Sequence, residues 1–325
     1  MMKESITGNG ASAAPVLSIN SLKSSVPPPT PPAYNVLLHL TMKAASHSLL
    51  ISAGFFALLG TSPGGALASQ VSNGGVSAAG SCESAEECFL AAAQPKERLG
   101  NQLTKDQVSA LRLERLRLVT ERFPGSVWAK RAGVLSGVLL IESNPSAAIP
   151  FLQTGQRDLS VLDDYLRLWI GEAKLRLGEA KEAAGLFESI VQAVPDSNLT
   201  GLVALRAGEA WYQAASCPEA LGWLAKAVTN TDKDKERLVP QAWLRMAACQ
   251  LRGSQIAEGR TTLKQLWVKF PYAPEAKEAE TLLQSNLGGE PWAATSEDRF
   301  GRAQAFLGQA LHAEAIEELK KFLAM

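Results

Sequence analysis

From about Thr104 onward, apolar side chains recur at helical spacing. The pattern is clearest in Leu162, Leu166, Trp169, Ala173 and Leu177, where steps of four, three, four and four keep one face apolar. A strand would alternate by two. The following segment repeats the logic with Ala183, Phe187, Ile190 and Val194, seconded by Ala184 and Val191, and Gly178 interrupts the chain between the two runs. The spacing predicts two antiparallel helices joined by a tight turn. No segment of this region reads as a strand, so the expected class is all-α.

Punctuation suggests that such pairs recur. Phe123-Pro124-Gly125-Ser126, Val194-Pro195-Asp196-Ser197 and Phe270-Pro271-Tyr272-Ala273 each close one helical run and precede another. Proline stops a helix, and a small polar residue can cap the next. The 34-residue segment 164–197 fits the tetratricopeptide pattern, with Gly171 in the first helix, Gly178 at the hairpin, then Ala183, Phe187 and Pro195. A second copy carries Gly208, Trp211, Ala220, Leu224 and Ala227, and a third carries Gly253, Gly259, Leu263, Leu266 and Pro271. A fourth has Phe306, Ala315, Leu319 and Phe322, and Val127 to Leu152 reads as a degenerate earlier pair. The equivalent small residues at 183, 220, 259 and 315 are spaced by 37, 39 and 56, so the repeat is irregular. Each pair exposes apolar surface that only a neighbour can cover, which favours a tetratricopeptide-like α-solenoid of stacked antiparallel helix pairs; a closed helical bundle is the alternative. In a solenoid the first helices line the concave surface. The matching positions, Tyr165, Leu168, Glu172, Arg176, Leu205, Glu209, Tyr212 and Gln213, are therefore the candidate binding residues.

The front of the chain has a different texture. Residues 1–41 hold six of the 17 prolines, mostly in Pro27-Pro28-Pro29-Thr30-Pro31-Pro32, a composition that buries little and predicts a disordered extension. Met42-Lys43, the apolar run Leu49 to Leu59 and Ala66-Leu67-Ala68 then follow in the order of a secretory signal, with cleavage expected after Ala68. The run of 11 residues is about half the roughly 20 needed to span a bilayer, so no permanent membrane anchor is expected. Because the stretch from Met42 is a complete signal by itself, translation is expected to begin there. The resulting layout is an extension (1–41), a signal peptide (42–68), a linker holding a cysteine pair (69–103) and the helical repeat domain (104–325), with a periplasmic product.

Export changes the reading of the four cysteines, because an oxidising compartment lets disulfides persist. Cys82 and Cys88 can close a small loop, and Cys217 and Cys249 fall on neighbouring helix pairs; the alternative is that they are small buried hydrophobes. No C-x-x-C spacing suggests a metal site. Only three histidines occur, and His39 and His47 precede the expected cleavage point, leaving His312. No metal, cofactor or histidine-based catalytic centre is expected. Lys plus Arg equals Asp plus Glu at 32 each, which gives no field to recruit nucleic acid. Arg112, Arg115, Arg117 and Arg122 share a helix with Glu114 and Glu121, the mark of a solvated face. The seven tryptophans sit mostly at apolar-face positions and read as core.

One further pattern concerns family. The segment Leu266-Trp267-Val268-Lys269-Phe270-Pro271-Tyr272-Ala273-Pro274-Glu275-Ala276, then Ser296-Glu297-Asp298-Arg299 and the hairpin from Arg302 to Leu323, resembles the N-terminal helical region of soluble lytic murein transglycosylases. Asp164-Tyr165 with Trp169-Ile170-Gly171-Glu172-Ala173 resembles an earlier repeat of that region. The resemblance implies a non-catalytic arm whose partner is peptidoglycan or another cell-envelope protein. The lysozyme-like catalytic domain of that family has no counterpart here: Glu142-Ser143 offers its opening dipeptide, but no Gly-Leu-Met-Gln stretch follows. No catalytic residue is therefore assigned. Two other readings stand beside this one: a truncated part of an active transglycosylase, and a tetratricopeptide adaptor for envelope protein assembly.

Overall fold

The computed structural model describes residues 82–93, 104–229, 235–285 and 292–325. The expected extension, signal peptide and cleavage point lie outside the described residues. Among the described residues there are thirteen α-helices and no strand. In chain order they are α1 (Ala85–Ala93), α2 (Lys105–Arg122), α3 (Val127–Ser143), α4 (Pro145–Asp158), α5 (Asp163–Arg176), α6 (Ala180–Ala193) and α7 (Thr200–Gln213). They continue with α8 (Cys217–Thr229), α9 (Lys235–Arg252), α10 (Ile256–Lys269), α11 (Pro274–Gln284), α12 (Ser296–Gly308) and α13 (His312–Leu323).

Local chemistry sets several boundaries. Thr104 caps α2 by accepting from the Gln107 amide at 3.3 Å while Gln107 accepts from the Thr104 amide at 2.8 Å, and Thr295 makes the same reciprocal box with Asp298 at α12. Ser126, just after the Pro124-Gly125 stop, accepts from the Ala129 amide at 3.0 Å and starts α3. Asn144 ends α3 and accepts from the Ala147 amide at 3.2 Å to start α4, whose first residue is Pro145.

The helices pack in series. Each helix from α1 to α11 lies against its neighbour in sequence, α12 pairs with α13, and α12 also meets α10. First helices of successive pairs touch as well: α3 meets α5, and α7 meets α9. Four hairpins, α5–α6, α7–α8, α9–α10 and α12–α13, share one register. A small residue on the first helix (Gly171, Gly208, Ala247, Ala303) is followed twelve residues later by a small one on the second (Ala183, Ala220, Gly259, Ala315), and four later by a large one (Phe187, Leu224, Leu263, Leu319). The two glycines allow close approach: a Cβ at Gly208 would lie 2.6 Å from Leu224 Cγ, and one at Gly171 would strike the Phe187 ring. Phe187, Leu224 and Leu263 are fully buried, each contributing about 1.5–3 kcal/mol by leaving water. The turn of every one of these hairpins contains one residue in the left-handed region, Gly178 (φ 82°), Ala215 (59°), Ser254 (59°) and Ala310 (56°).

Two elements depart from the sequence reading. Residues 85–93, assigned to a linker, form α1, whose Phe89, Ala92 and Ala93 are buried against α2 and α3 with the Phe89 ring 5.3 Å from that of Trp128. It is nine residues long and apolar at all but Glu86 and Glu87, too short and too uniformly apolar to show a period. Between the third and fourth hairpins an additional helix, α11, buries Ala276, Ala279 and Leu283. It accounts for much of the long last spacing. The tryptophans also divide differently: Trp169 and Trp267 are buried, whereas Trp128, Trp211, Trp223, Trp243 and Trp292 are half-buried. Helical period puts an indole on the inward side of a helix, but a ring that large at the edge of a narrow hairpin keeps one side in water.

Candidate binding face

The first helices α5, α7 and α9 supply a ladder of charged side chains that joins three hairpins. Arg206 on α7 is its centre: Nε and Nη2 donate to the two carboxylate oxygens of Glu172 on α5, and Nη1 donates to Glu209 on its own helix. Burial alone would lower the pKa of this guanidinium, but the adjacent Glu172 and Glu209 carboxylates outweigh it and raise it above the ordinary arginine value. Arg245 on α9 continues the ladder, with Nε 3.9 Å from Glu209 Oε1. Tyr212, one turn beyond Glu209, lies beneath two guanidinium groups, those of Arg252 at 4.0 Å and Arg245 at 5.3 Å from its ring centre. The buried Tyr212 hydroxyl makes no hydrogen bond. Below Arg245, Glu275 at the start of α11 is buried. Desolvation raises its pKa; its own backbone amide and Arg245 partly offset the rise, while Glu278 and Glu209 add to it.

The sequence candidates distribute unevenly over this face. Glu172, Glu209 and Tyr212 enter the ladder. Tyr165 is half-buried and stacks beside Trp169 with ring centres 5.8 Å apart, and burial followed by the Asp164 charge raises its pKa. Leu168 and Leu205 are buried in the packing between hairpins, whereas Arg176 and Gln213 are exposed at the ends of their helices. Counting repeat positions located Glu172 and Glu209 but not Arg206, Arg245, Arg252 or Glu275. Arg206 was legible in one respect, as a lone cation three residues before Glu209 in an otherwise apolar helix. Arg245 and Glu275 meet the ladder only through the packing of α9 and α11, which no local spacing encodes.

Other polar contacts brace the α5–α6 hairpin internally, and one, from Trp211 to Glu188, joins it to the next. Ser197 Oγ donates to Asp164 Oδ2 at 2.8 Å, Arg167 Nη1 donates to Ser189 Oγ at 3.0 Å, and Trp211 Nε1 donates to Glu188 Oε1 at 2.6 Å. The structure joins Cys82 to Cys88 and Cys217 to Cys249, with Cα atoms 5.2 and 5.3 Å apart. The second bridge ties the start of α8 to the last turn of α9. Glu142 is exposed near the end of α3. Among the described residues no group of three or more His, Cys, Asp or Glu side chains could hold a metal, and no helix is long and apolar enough to cross a membrane.

Arg206 and Arg245 neutralise the carboxylates, Arg245 and Arg252 cover Tyr212, and Glu209, Tyr212 and Arg245 are buried, so the ladder is a fixed polar seam between first helices. No curated protein matches the chain. Among solved structures, a tetratricopeptide repeat protein from Parabacteroides merdae ATCC 43184 is 12% identical with TM-score 0.48, over 74% of this chain and 93% of that one. The MamA 41-end structure from Desulfovibrio magneticus RS-1 is 14% identical with TM-score 0.35, over 65% and 93%. The tetratricopeptide repeat family profile matches residues 165–197 and 241–271, that is, α5–α6 and most of α9–α10, and the fold of the described chain is a tetratricopeptide-like helical repeat.

Proposed function

We propose that this chain is an exported adaptor, a helical-repeat scaffold that holds a protein partner in the cell envelope. Tetratricopeptide-like repeats suit protein binding because successive first helices present a continuous row of side chains to an extended segment. The observation that carries the proposal is the series of first helices α5, α7 and α9, whose spacing is fixed by the largely buried row from Glu172 through Arg206, Glu209 and Tyr212 to Arg245. The periplasmic placement is supported by the signal-like stretch 42–68 and by the pairing of all four cysteines into disulfides, which persist in oxidising compartments.

A narrower reading, in which the ligand is peptidoglycan and the chain is related to lytic transglycosylases, has weaker support. Of the segment that carries the resemblance, Leu266, Trp267, Phe270, Ala273 and Ala276 are buried packing residues. Helical repeats of any ligand preference need such residues, so their presence says nothing about a glycan. What favours the glycan is the set of half-buried indoles, above all Trp223, on which a sugar ring could stack.

Cell fractionation followed by intact mass, together with co-sedimentation with purified sacculi, tests both readings. The expected product is periplasmic, begins after Ala68, carries two disulfides and stays in the supernatant. A cytoplasmic product with four free thiols would sink the placement. Sedimentation with sacculi that Trp223→Ala abolishes would replace the protein partner by peptidoglycan.

A further inference from the structure

Apart from the row of first helices, we propose that the Cys82–Cys88 bridge is a thiol-exchange site, in which a dithiol substrate attacks Cys82 and Arg122 holds the thiolate that Cys82 becomes. The two cysteines are unequal. Cys82 is half-buried just before α1, and Nη1 of Arg122, the last residue of α2, lies 3.7 Å from its Sγ. Cys88 is 6% exposed within α1, and its Sγ lies 3.7 Å from the Cys82 carbonyl oxygen. A guanidinium beside a sulfur favours the anion, whereas a buried place beside a carbonyl favours the neutral thiol, which can donate to it. Reduction therefore yields an outer thiolate and an inner thiol.

The surroundings leave that cation to the sulfur. The Arg122 guanidinium is steadied over the Phe123 ring, 5.4 Å from its centre. Of the nearby carboxylates, Glu121 pairs with Arg117, Glu87 accepts from the Glu83 amide at 2.9 Å and Glu86 acts on the charge of Arg131. The two bridges also differ in what holds them shut. Cys217–Cys249 spans 32 positions and joins α8 to α9, so its sulfurs part fully only if two hairpins do. Cys82–Cys88 spans six positions of one segment, so it opens without any helix leaving another. Phe89 on Trp128 and the Ala93 carbonyl on Arg112 Nη2 anchor α1 independently of the bridge.

In the exchange a substrate thiolate attacks Cys82 Sγ, and a new S–S bond forms as the Cys82–Cys88 bond breaks. The electron pair leaves on Cys88, which takes up the proton that the substrate thiol gave to water. The second substrate thiolate then attacks the substrate sulfur of the mixed disulfide, and Cys82 leaves as the thiolate beside Arg122. The substrate is oxidised to a disulfide and the same two electrons reduce the bridge, with one proton on Cys88 and one left in water. A dithiol is required because a single thiol stops at the mixed disulfide, which Cys88 can reverse.

The oxidised full chain, mixed with reduced glutathione or with a reduced two-cysteine peptide, then quenched in acid, alkylated and mapped by peptide mass, tests the proposal. Cys82–Cys88 should open at least about tenfold faster than Cys217–Cys249, and glutathione should be captured on Cys82 and not on Cys88. Faster opening by the peptide at equal thiol concentration assigns the donor to a polypeptide, and slower opening to a small thiol. In the reduced chain at pH 7, Arg122→Gln should slow alkylation of Cys82 roughly two- to fivefold, the scale of one exposed ion contact, while Arg122→Lys retains the wild-type rate and circular dichroism is unchanged. Bridges that open together, glutathione on Cys88, or Cys82 alkylation indifferent to Arg122→Gln each overturn the proposal.

Discussion

At Ala215, Ser254 and Ala310 the backbone takes the left-handed conformation that Gly178 supplies freely in the first of the matching hairpins. A side chain with a Cβ there costs about 1–2 kcal/mol relative to glycine, part of which glycine returns through its freer unfolded chain. Ala215→Gly should therefore stabilise the fold by about 0.5–1 kcal/mol, read as a higher urea midpoint at constant slope; a loss of stability would show that this turn is not strained. The sequence marks Gly178 as a turn because glycine is conspicuous, while alanine and serine at the same register position carry no such mark. Glu275 presents a different residue-scale case. Its folded-state pKa is raised, so its contribution to stability is fully present below the ordinary glutamate pKa and is lost as pH rises through the folded value. Near neutrality the buried carboxylate is a burden. Glu275→Gln should match wild type near pH 4 and melt on the order of 2 °C higher at pH 8, by scanning calorimetry, and an equal difference at both pH values would remove ionisation as its cause.

Among the elements, the hairpin is the unit the sequence reveals most fully. The large, regularly spaced side chains Phe187, Leu224 and Leu263, and the glycines facing two of them, declare both the helices and their pairing. The helices α1 and α11 escaped because each is short and alanine makes up half of what it buries, which marks no face strongly. The candidate face was half legible for a related reason: repeat position finds residues on a first helix, but the partners on α9 and α11 are assembled by packing. At this scale the close approach of α7 and α8 is the sharpest point. Gly208→Ala places a methyl 2.6 Å from Leu224 Cγ and 3.1 Å from its backbone nitrogen, and should cost about 1–3 kcal/mol. Gly222→Ala on α8 meets nothing within 4 Å and should stabilise by up to about 1 kcal/mol through helix propensity. Urea titration of the pair checks the contrast; equal responses would mean that glycine is not needed for the approach.

For the whole described molecule, contacts run between neighbours in sequence and between alternate first helices, so stability is expected to be local, a sum of hairpins and the seams between them. Three features reinforce the seam from α7 to α9: the Glu172–Arg206–Glu209–Arg245 ladder, the stacking of Arg252 on Tyr212 and the Cys217–Cys249 bridge. A binding scaffold gains from that arrangement, because a ligand held along several first helices meets a surface whose parts keep their spacing. Series packing is the claim on which the rest stands, and native-state hydrogen exchange on Gly208→Ala tests it most directly. Amides in α5 to α10 should lose protection while those in α2 and α3 keep their wild-type rates. Uniform loss across every helix, as in a single closed core, would contradict it.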